Sequence, residues 1–465
     1  MAYDLTKPAD PSLAPGEARC PGPQTRDLIM RDQDNAPAAL VEASYQFLGD
    51  EDIPYERYTS EEFFEKEMDT VWRKTWQWAC REEHIPKKGD YHTYDVGPYS
   101  VVVVRSEKDT IKAFVNSCPH RGMQFCDAGS SGSGKQFLWC PFHGMSWHLD
   151  GSLREIPNRW DFPHVDEEEF GLMEVPCDTW GGFVFINLDA NCEPLEEYLG
   201  VLPEHFKDWK LEDRYVELHT RKVLPGNWKM CEEAFLEAYH VLATHPEGIH
   251  TTGDANCDYD VFGKHVTRFI HTIGYPSPHV AAEVDERKLF ANLGHNPDDL
   301  PEGVGARQRH ADLLREQLSK EWDADLSGLS NSEMLDSIEY HVFPNAMFFP
   351  GINIRLVYRF RPIDVDHTLH EILLLRPVPE NGPRPKPAEP IDLAIEDSYA
   401  KANEQSIGGF GLALVLDQDT ENFHRQRAGI KAAQKSGAKA GATLGNYQEI
   451  RVRRLHQTVD EYLSA

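Results

Sequence analysis

"CPHRGMQFC" (Cys118–Cys126) and "CPFHGMSWHLDG" (Cys140–Gly151) decide how the rest of this chain is read. Each couples a cysteine to a histidine, Cys118 to His120 and Cys140 to His143, with nineteen residues between the couples. Thiolate and imidazole are soft to borderline donors that suit zinc or an iron–sulfur cluster. A zinc finger pairs Cys with Cys and His with His along the chain. Here each loop supplies one of each, as a two-iron cluster requires when thiolates hold one iron and imidazoles the other. Pro119, Gly122, Pro141 and Gly144 allow tight loops whose backbone N–H groups point at sulfur. A structural zinc site is the competing reading.

The surroundings are β-rich. "YSVVVV" (Tyr99–Val104) and "WGGFVFINLD" (Trp180–Asp189) read as strands between Gly, Asp and Ser turn signals. "GSSGSGKQ" (129–136) reads as a flexible loop. Before them, "TSEEFFEKEMDTVW" opens on a capping-box pattern (Thr59, Ser60, Glu61, Glu62) and continues with helical spacing of Phe63, Phe64, Met68, Val71 and Trp72. Beyond about residue 181, helical stretches alternate with strands such as "YVELHTRKVL" (215–224). "IRLVYRFRPI" and "LHEILLLRPV" form a hairpin joined by "DVDHT". "IDLAIEDSYAKANEQ" (391–405) and "NYQEIRVRRLHQTVDEYLSA" (446–465) read as amphipathic helices, and the basic stretch 425–441 as a solvated loop. The expectation is an α+β chain: an N-terminal arm (1–50), a helix (51–75), a small all-β domain (76–180) and a larger domain on a mostly antiparallel sheet (181–465).

With 465 residues the chain suits two domains. Its 77 acidic and 47 basic residues give a net charge of -30, which repels phosphate backbones and argues against nucleic acid binding. No apolar run approaches the ~18 residues of a membrane helix, and the N-terminus lacks an apolar signal core. Nine cysteines scattered over a chain of this size do not read as a disulfide framework; seven read as reduced thiols, Cys118 and Cys140 standing apart. A cytoplasmic protein is expected.

A second constellation lies in "EEAFLEAYHVLATHPE" (232–247), read as a helix stopped near Pro246. Glu237 and His240, three apart, share a face. His245 lies five beyond His240, ~140° round a regular helix, so both imidazoles reach one ion only where the helix loosens. Two imidazoles and a carboxylate match the facial triad of non-haem Fe(II) oxygenases.

The two loops resemble those of a Rieske [2Fe-2S] domain, and the 232–247 stretch resembles the catalytic helix of Rieske non-haem iron aromatic-ring-hydroxylating oxygenases, specifically their large α subunit. Met123 and Phe142 stand where respiratory Rieske proteins place a disulfide, so the resemblance is to the lower-potential type. It implies a helix-grip-like catalytic domain and a cluster held by Cys118, His120, Cys140 and His143. His240, His245 and Asp419 would hold a mononuclear iron, with Asp417 and Glu421 as alternatives to Asp419 within "LDQDTENFHRQRAGI" (416–430). Glu237 would bridge between subunits, linking His143 of one copy to His240 of the next within a homotrimer (α3) or an α3β3 assembly with a small β subunit. Electrons from NAD(P)H would arrive through a flavin reductase, with or without a ferredoxin. Glu233, Ala234 and Met230 are candidate substrate-pocket residues, and Phe235, Met347 and Phe348 further candidates. The implied reaction is hydroxylation of an aromatic compound with O2, most simply cis-dihydroxylation in aromatic hydrocarbon catabolism. A monooxygenase or demethylase is the alternative. An electron-transfer or redox-sensing protein without mononuclear iron is the rival of another class.

Overall fold

The computed structural model of the chain describes residues 3–32, 36–402 and 411–464. They form two compact units. The smaller comprises Glu65–Leu199 and Lys210–Asp213; the larger comprises the described residues up to Phe64, then Gly200–Trp209 and Arg214–Ser464. Residues 181–199 thus cluster with the smaller unit. The expected α+β class is what the two units display.

The smaller unit is built from three antiparallel sheets. The Val101–Val104 run lies in strand Tyr99–Glu107, between Tyr91–Val96 and Thr110–Val115. All four valines are buried, as β-branched side chains in a sheet covered on both faces should be. The expected loop 129–136 contributes an edge pair, Ser131–Gly132, to this sheet. The second sheet joins Gln77–Arg81, Cys177–Trp180 and Phe183–Ile186. "WGGFVFINLD" is therefore not one strand from its start: Gly181 (φ 58°) and Gly182 (φ 76°) turn the chain between two strands. The third sheet joins Leu138–Trp139, Ser146–Trp147 and Leu153–Glu155 and carries the second Cys/His loop between its first two strands. Phe125, Leu138, Met145 and Trp147 pack with Cys118 and Cys140 in one core.

The larger unit rests on an eight-stranded sheet in the order Asp258–Phe262, Val266–His271, Ser337–Val342, Ala346–Phe348, Leu356–Asp364, His367–Pro377, Arg214–Leu224, Ile391–Leu393. The expected hairpin forms, with Phe360 opposite His370. Only the last strand runs parallel to its neighbour in this sheet. The C-terminal helix Ile450–Leu463 lays Ile450, Leu455 and Val459 into the core, each contributing ~1.5–3 kcal/mol of apolar burial. From the same helix the buried Arg451 reaches Glu339 Oε1 (2.6 Å) and Thr267 Oγ1 (3.0 Å) on the sheet. The N-terminal segment is tied to this unit: Thr25 N donates to Asn256 O (3.0 Å), and Arg26 pairs with the buried Asp258 and Asp260.

Three local expectations need correcting. The first helix is broken: Glu56–Thr59 stops before Ser60, Glu61–Glu67 follows, and Met68–Trp72 is a π-turn. At the start of the second piece Ser60 Oγ accepts from Phe63 N (3.2 Å). The basic stretch 425–441 is mostly helix, Phe423–Ser436, because Ala, Gln, Lys and Arg favour helix more strongly than one internal Gly429 opposes it. Gly437, in the left-handed region at φ 68°, ends it. Lastly, 391–405 is not one helix: Ile391–Leu393 is the parallel edge strand and only Tyr399–Ala402 is helical, while residues 403–405 lie outside the described residues. Among the described residues no helix is long and apolar enough to cross a membrane.

Candidate metal centres and substrate cavity

The two Cys/His loops of the smaller unit have the same internal construction. Cys118 N donates to Met123 O (2.8 Å) and Gly122 N returns to Cys118 O (2.8 Å); Cys140 N donates to Met145 O (2.9 Å) and Gly144 N returns to Cys140 O (3.0 Å). Gly122 (φ 77°) and Gly144 (φ 79°) supply the left-handed residue each turn needs. Cys118 and Cys140 are buried side by side, while the His120 and His143 rings stand nearer the surface with centroids 4.7 Å apart. Burial raises the Cys118 thiol; backbone N–H groups of His120 and Arg121 oppose this by donating to its sulfur, and the Cys140 sulfur raises it further. Two thiols below and two imidazoles above, with amide donors already aimed at sulfur, fit a two-iron cluster with unlike ends. Met123 and Phe142 are exposed side chains, and every described cysteine is free.

In the larger unit the expected single helix over 232–247 is interrupted. Helix Trp228–Glu233, capped by the Asn227 side chain on Lys229 N (3.2 Å), gives way to turns, and one further helical turn runs Val241–Thr244. His240 precedes that turn and His245 follows it, where φ reaches -123°. The irregularity needed to converge two imidazoles five residues apart thus sits at both ends of a single turn. Glu237 drives the break, because its carboxylate takes the His240 amide (3.0 Å) in place of a helical carbonyl.

His240 Nε2 lies 3.3 Å and His245 Nε2 2.9 Å from the same oxygen, Asp419 Oδ1. One ligand atom from each residue falls within 4.8 Å of the others, and this is the one such group among the described residues. The opposite ring nitrogens are engaged: His240 Nδ1 faces Glu237 Oε1 (2.7 Å) and His245 Nδ1 faces Gln418 Oε1 (2.7 Å). With Nδ1 donating in each ring, a neutral imidazole presents a bare Nε2 lone pair to the buried Asp419 oxygen. Three acceptors then converge with no proton among them, an arrangement that a divalent cation resolves. Without a cation, burial pulls the His240 imidazole toward neutrality, but Glu237 and Asp419 outweigh it and lift its pKa to about 10. A metal replaces that proton.

Asp419 comes from helix Leu412–Glu421. Asp417, the alternative, faces elsewhere: it accepts from Tyr399 N (2.8 Å) and Ala400 N (3.1 Å) and so caps the short helix Tyr399–Ala402. Glu421 is exposed. Gln418 escaped the sequence reading. It carries no signal beyond standing next to Asp419, and its contact with His245 spans 173 residues.

A cavity of about 560 Å³ opens on this group, walled by rings and aliphatic groups such as Phe235, Phe269, Phe349, Tyr358 and Leu356. Neither Lys nor Arg lines it among the described residues. Of the three candidate pocket residues, only Ala234 lines it. Glu233 faces a second, smaller pocket of about 290 Å³ that also reaches Glu237, His240 and Asp419. It accepts there from Tyr58 OH (3.0 Å) and meets His456 Nε2 (2.7 Å). Met230 is buried and packs against Gly226, outside both linings. Phe235 lines the large cavity as expected; Met347 and Phe348 belong to the sheet core instead, and the neighbouring Phe349 takes that place.

The profile of the ring hydroxylating alpha subunit (catalytic domain) matches residues 204–465, and that of the Rieske [2Fe-2S] domain matches residues 75–166. The chain is 27% identical over 317 residues to the biphenyl 2,3-dioxygenase subunit alpha of Rhodococcus jostii (strain RHA1), covering 64% of this chain and 63% of that protein. It is 34% identical over 202 residues to the carnitine monooxygenase oxygenase subunit of Escherichia coli (strain K12), covering 42% of this chain and 52% of that protein. These matches span less than two thirds of either relative's length. The fold is shared with a quaternary ammonium Rieske monooxygenase in complex with L-carnitine (TM-score 0.61, 19% identity, 88% of this chain and 95% of that one). It is shared also with naphthalene 1,2-dioxygenase from Rhodococcus sp. bound to indole (TM-score 0.60, 21% identity, 89% and 94%).

Proposed function

Because the chain belongs to the family of ring hydroxylating alpha subunits and carries a Rieske [2Fe-2S] domain, we propose that it is the terminal oxygenase of a multicomponent system that hydroxylates an uncharged aromatic compound, with cis-dihydroxylation as the main reaction. The observation that carries this reading is the convergence of His240, His245 and Asp419 on the wall of a ring-lined cavity. The cavity holds carboxylates (Glu237, Glu247, Glu339, Asp419) and no described Lys or Arg, so an anionic substrate group held away from the metal, as in an aromatic acid, meets repulsion without a partner. Rings and aliphatic side chains favour apolar surface.

Cys118, His120, Cys140 and His143 would hold the cluster; His240, His245 and Asp419 would hold the ferrous ion. When bound, these groups supply one-electron transfer and the redox chemistry that O2 requires. Glu237 orients His240 through Nδ1 and fixes which nitrogen faces the metal. Gln418 does the same for His245 with a neutral acceptor. The apolar walls keep water from the reacting carbon. Glu237 also serves as the bridge to His143 of a neighbouring copy, in an α3 or α3β3 ring whose closure completes each site. Electrons come from NAD(P)H through a flavin reductase or ferredoxin, in the cytoplasm. A monooxygenase or demethylase is the second reading; the 34% identity to a carnitine monooxygenase oxygenase subunit favours its monooxygenase form.

Purified protein should contain about three irons and two acid-labile sulfides per chain, and show a rhombic paramagnetic signal after dithionite reduction. A colourless protein, or one with zinc alone, defeats the proposal. With a reductase, NADH and 18O2, two labelled oxygens in the product mark dioxygenation; a single one in a monohydroxylated product, or label found only in released formaldehyde, marks the second reading.

A further inference from the structure

Outside the metal group, a residue of the substrate-cavity wall, His271, keeps a buried ring nitrogen that no hydrogen bond satisfies. Phe269, His271 and Ile273 all line the cavity, alternate residues running off the end of strand Val266–His271. Two of the three are apolar, as such a wall requires. At the middle position an imidazole stands where an aliphatic side chain would pack as well. One of its ring nitrogens is held by the Gly253 backbone. Nε2 is buried and has no hydrogen-bond partner. Several other polar groups of the wall are engaged. Glu339 accepts from Arg451 Nη2 (2.6 Å) and Tyr358 OH (3.1 Å), Thr251 Oγ1 donates to Gly248 O (3.2 Å), and Glu237 holds His240.

Burial, the main cause, holds the His271 imidazole well below its ordinary pKa and so favours the neutral ring. The Gly253 contact favours a protonated nitrogen on its side of the ring, which makes Nε2 an acceptor. A buried acceptor without a donor is a standing cost that a ligand can remove.

We propose that His271 is a substrate-anchoring residue that accepts a hydrogen bond from a hydroxyl or ring N–H group on the substrate. This deepens, and rests on, the oxygenase reading: it narrows the substrate from any uncharged ring compound to one carrying a donor. The anchor fixes the ring against the wall that also holds His245 and so selects which edge faces the metal group. A site built to accept from a donor discriminates against analogues that lack one more strongly than an apolar pocket discriminates by size.

Binding of four matched probes to the full-length metal-loaded protein tests this: 2-naphthol and indole as donors, naphthalene and 2-methoxynaphthalene as non-donors, titrated by calorimetry under anaerobic conditions. The donors should bind about 10-fold more tightly than the non-donors. His271→Leu should erase that ratio, and naphthalene binding that persists in the variant reports an intact cavity. His271→Gln, which keeps an acceptor at similar reach, should restore most of it. Equal affinity for donors and non-donors, or a ratio that survives in His271→Leu, overturns the assignment. Turnover does not enter the ratio, so failure to oxidise any ring compound counts against the oxygenase reading alone.

Discussion

At the residue scale, the two imidazoles of the candidate iron site are held by different partners. His240 leans on a carboxylate and His245 on an amide. A carboxylate makes the ligand ring more basic than an amide does, so the two metal bonds are unequal by construction. Gln418→Leu removes the acceptor behind His245 and should weaken iron binding about 10- to 100-fold, read as iron occupancy against a competing chelator. Glu237→Gln keeps an oxygen for His240, so both metal centres should fill; turnover should nonetheless fall by orders of magnitude, and unchanged single-turnover electron transfer would remove Glu237 from the bridge. Glu449 offers a pH test. Burial lifts its pKa to about 7, and the charges of Glu237 and Glu233 add to this, while Gly445 N–H and Arg453 pull it down. A carboxyl whose folded pKa exceeds its unfolded value stabilises the fold fully below the unfolded value, and that stability is lost as pH rises from about 4.5 to about 7. Glu449→Gln should therefore raise Tm at pH 8 and leave it nearly unchanged at pH 4, by thermal scans at constant metal loading.

At the element scale, what was legible depended on how local the causes were. The Cys/His loops could be read because ligand, turn glycine and proline lie within five residues of one another. The strand Arg214–Leu224 and the hairpin after it could be read because alternation is a local signal. The catalytic stretch misled because its apolar spacing is helical while one side chain, Glu237, competes for the backbone. Asp419 over Asp417 came from resemblance; the geometry separates them by the face of the helix, one turned to the histidines and one to the Tyr399 amide. Gln418 and His271 were invisible, since each acts across a tertiary contact. The paired loops also make a prediction at this scale. Gly144→Ala places a Cβ on a left-handed residue, 3.4 Å from Pro157 Cγ, with a strain of ~1–2 kcal/mol. Visible absorbance of the cluster per chain should fall while iron at the histidine–aspartate site is retained.

At the scale of the whole molecule, each candidate metal centre is built by its own unit. Cys118 and Cys140 belong to the same cluster of buried side chains as Trp147 and Phe125, all within the smaller unit. His240, His245 and Asp419 belong wholly to the larger one. His245→Ala should therefore abolish mononuclear iron and leave the cluster's absorption intact, checked by metal analysis beside the visible spectrum. Loss of both signals would mean that the two units do not hold their metals independently.

His240 and Asp419 line two chambers at once, a roomy greasy one and a tighter acidic one. Taking the roomy one as the front and the tight one as the back, a metal between these side chains has two doors. A bulky guest lodged in front leaves the rear passage clear, so a small hydrophilic chelator should strip the metal from behind even while the guest stays seated.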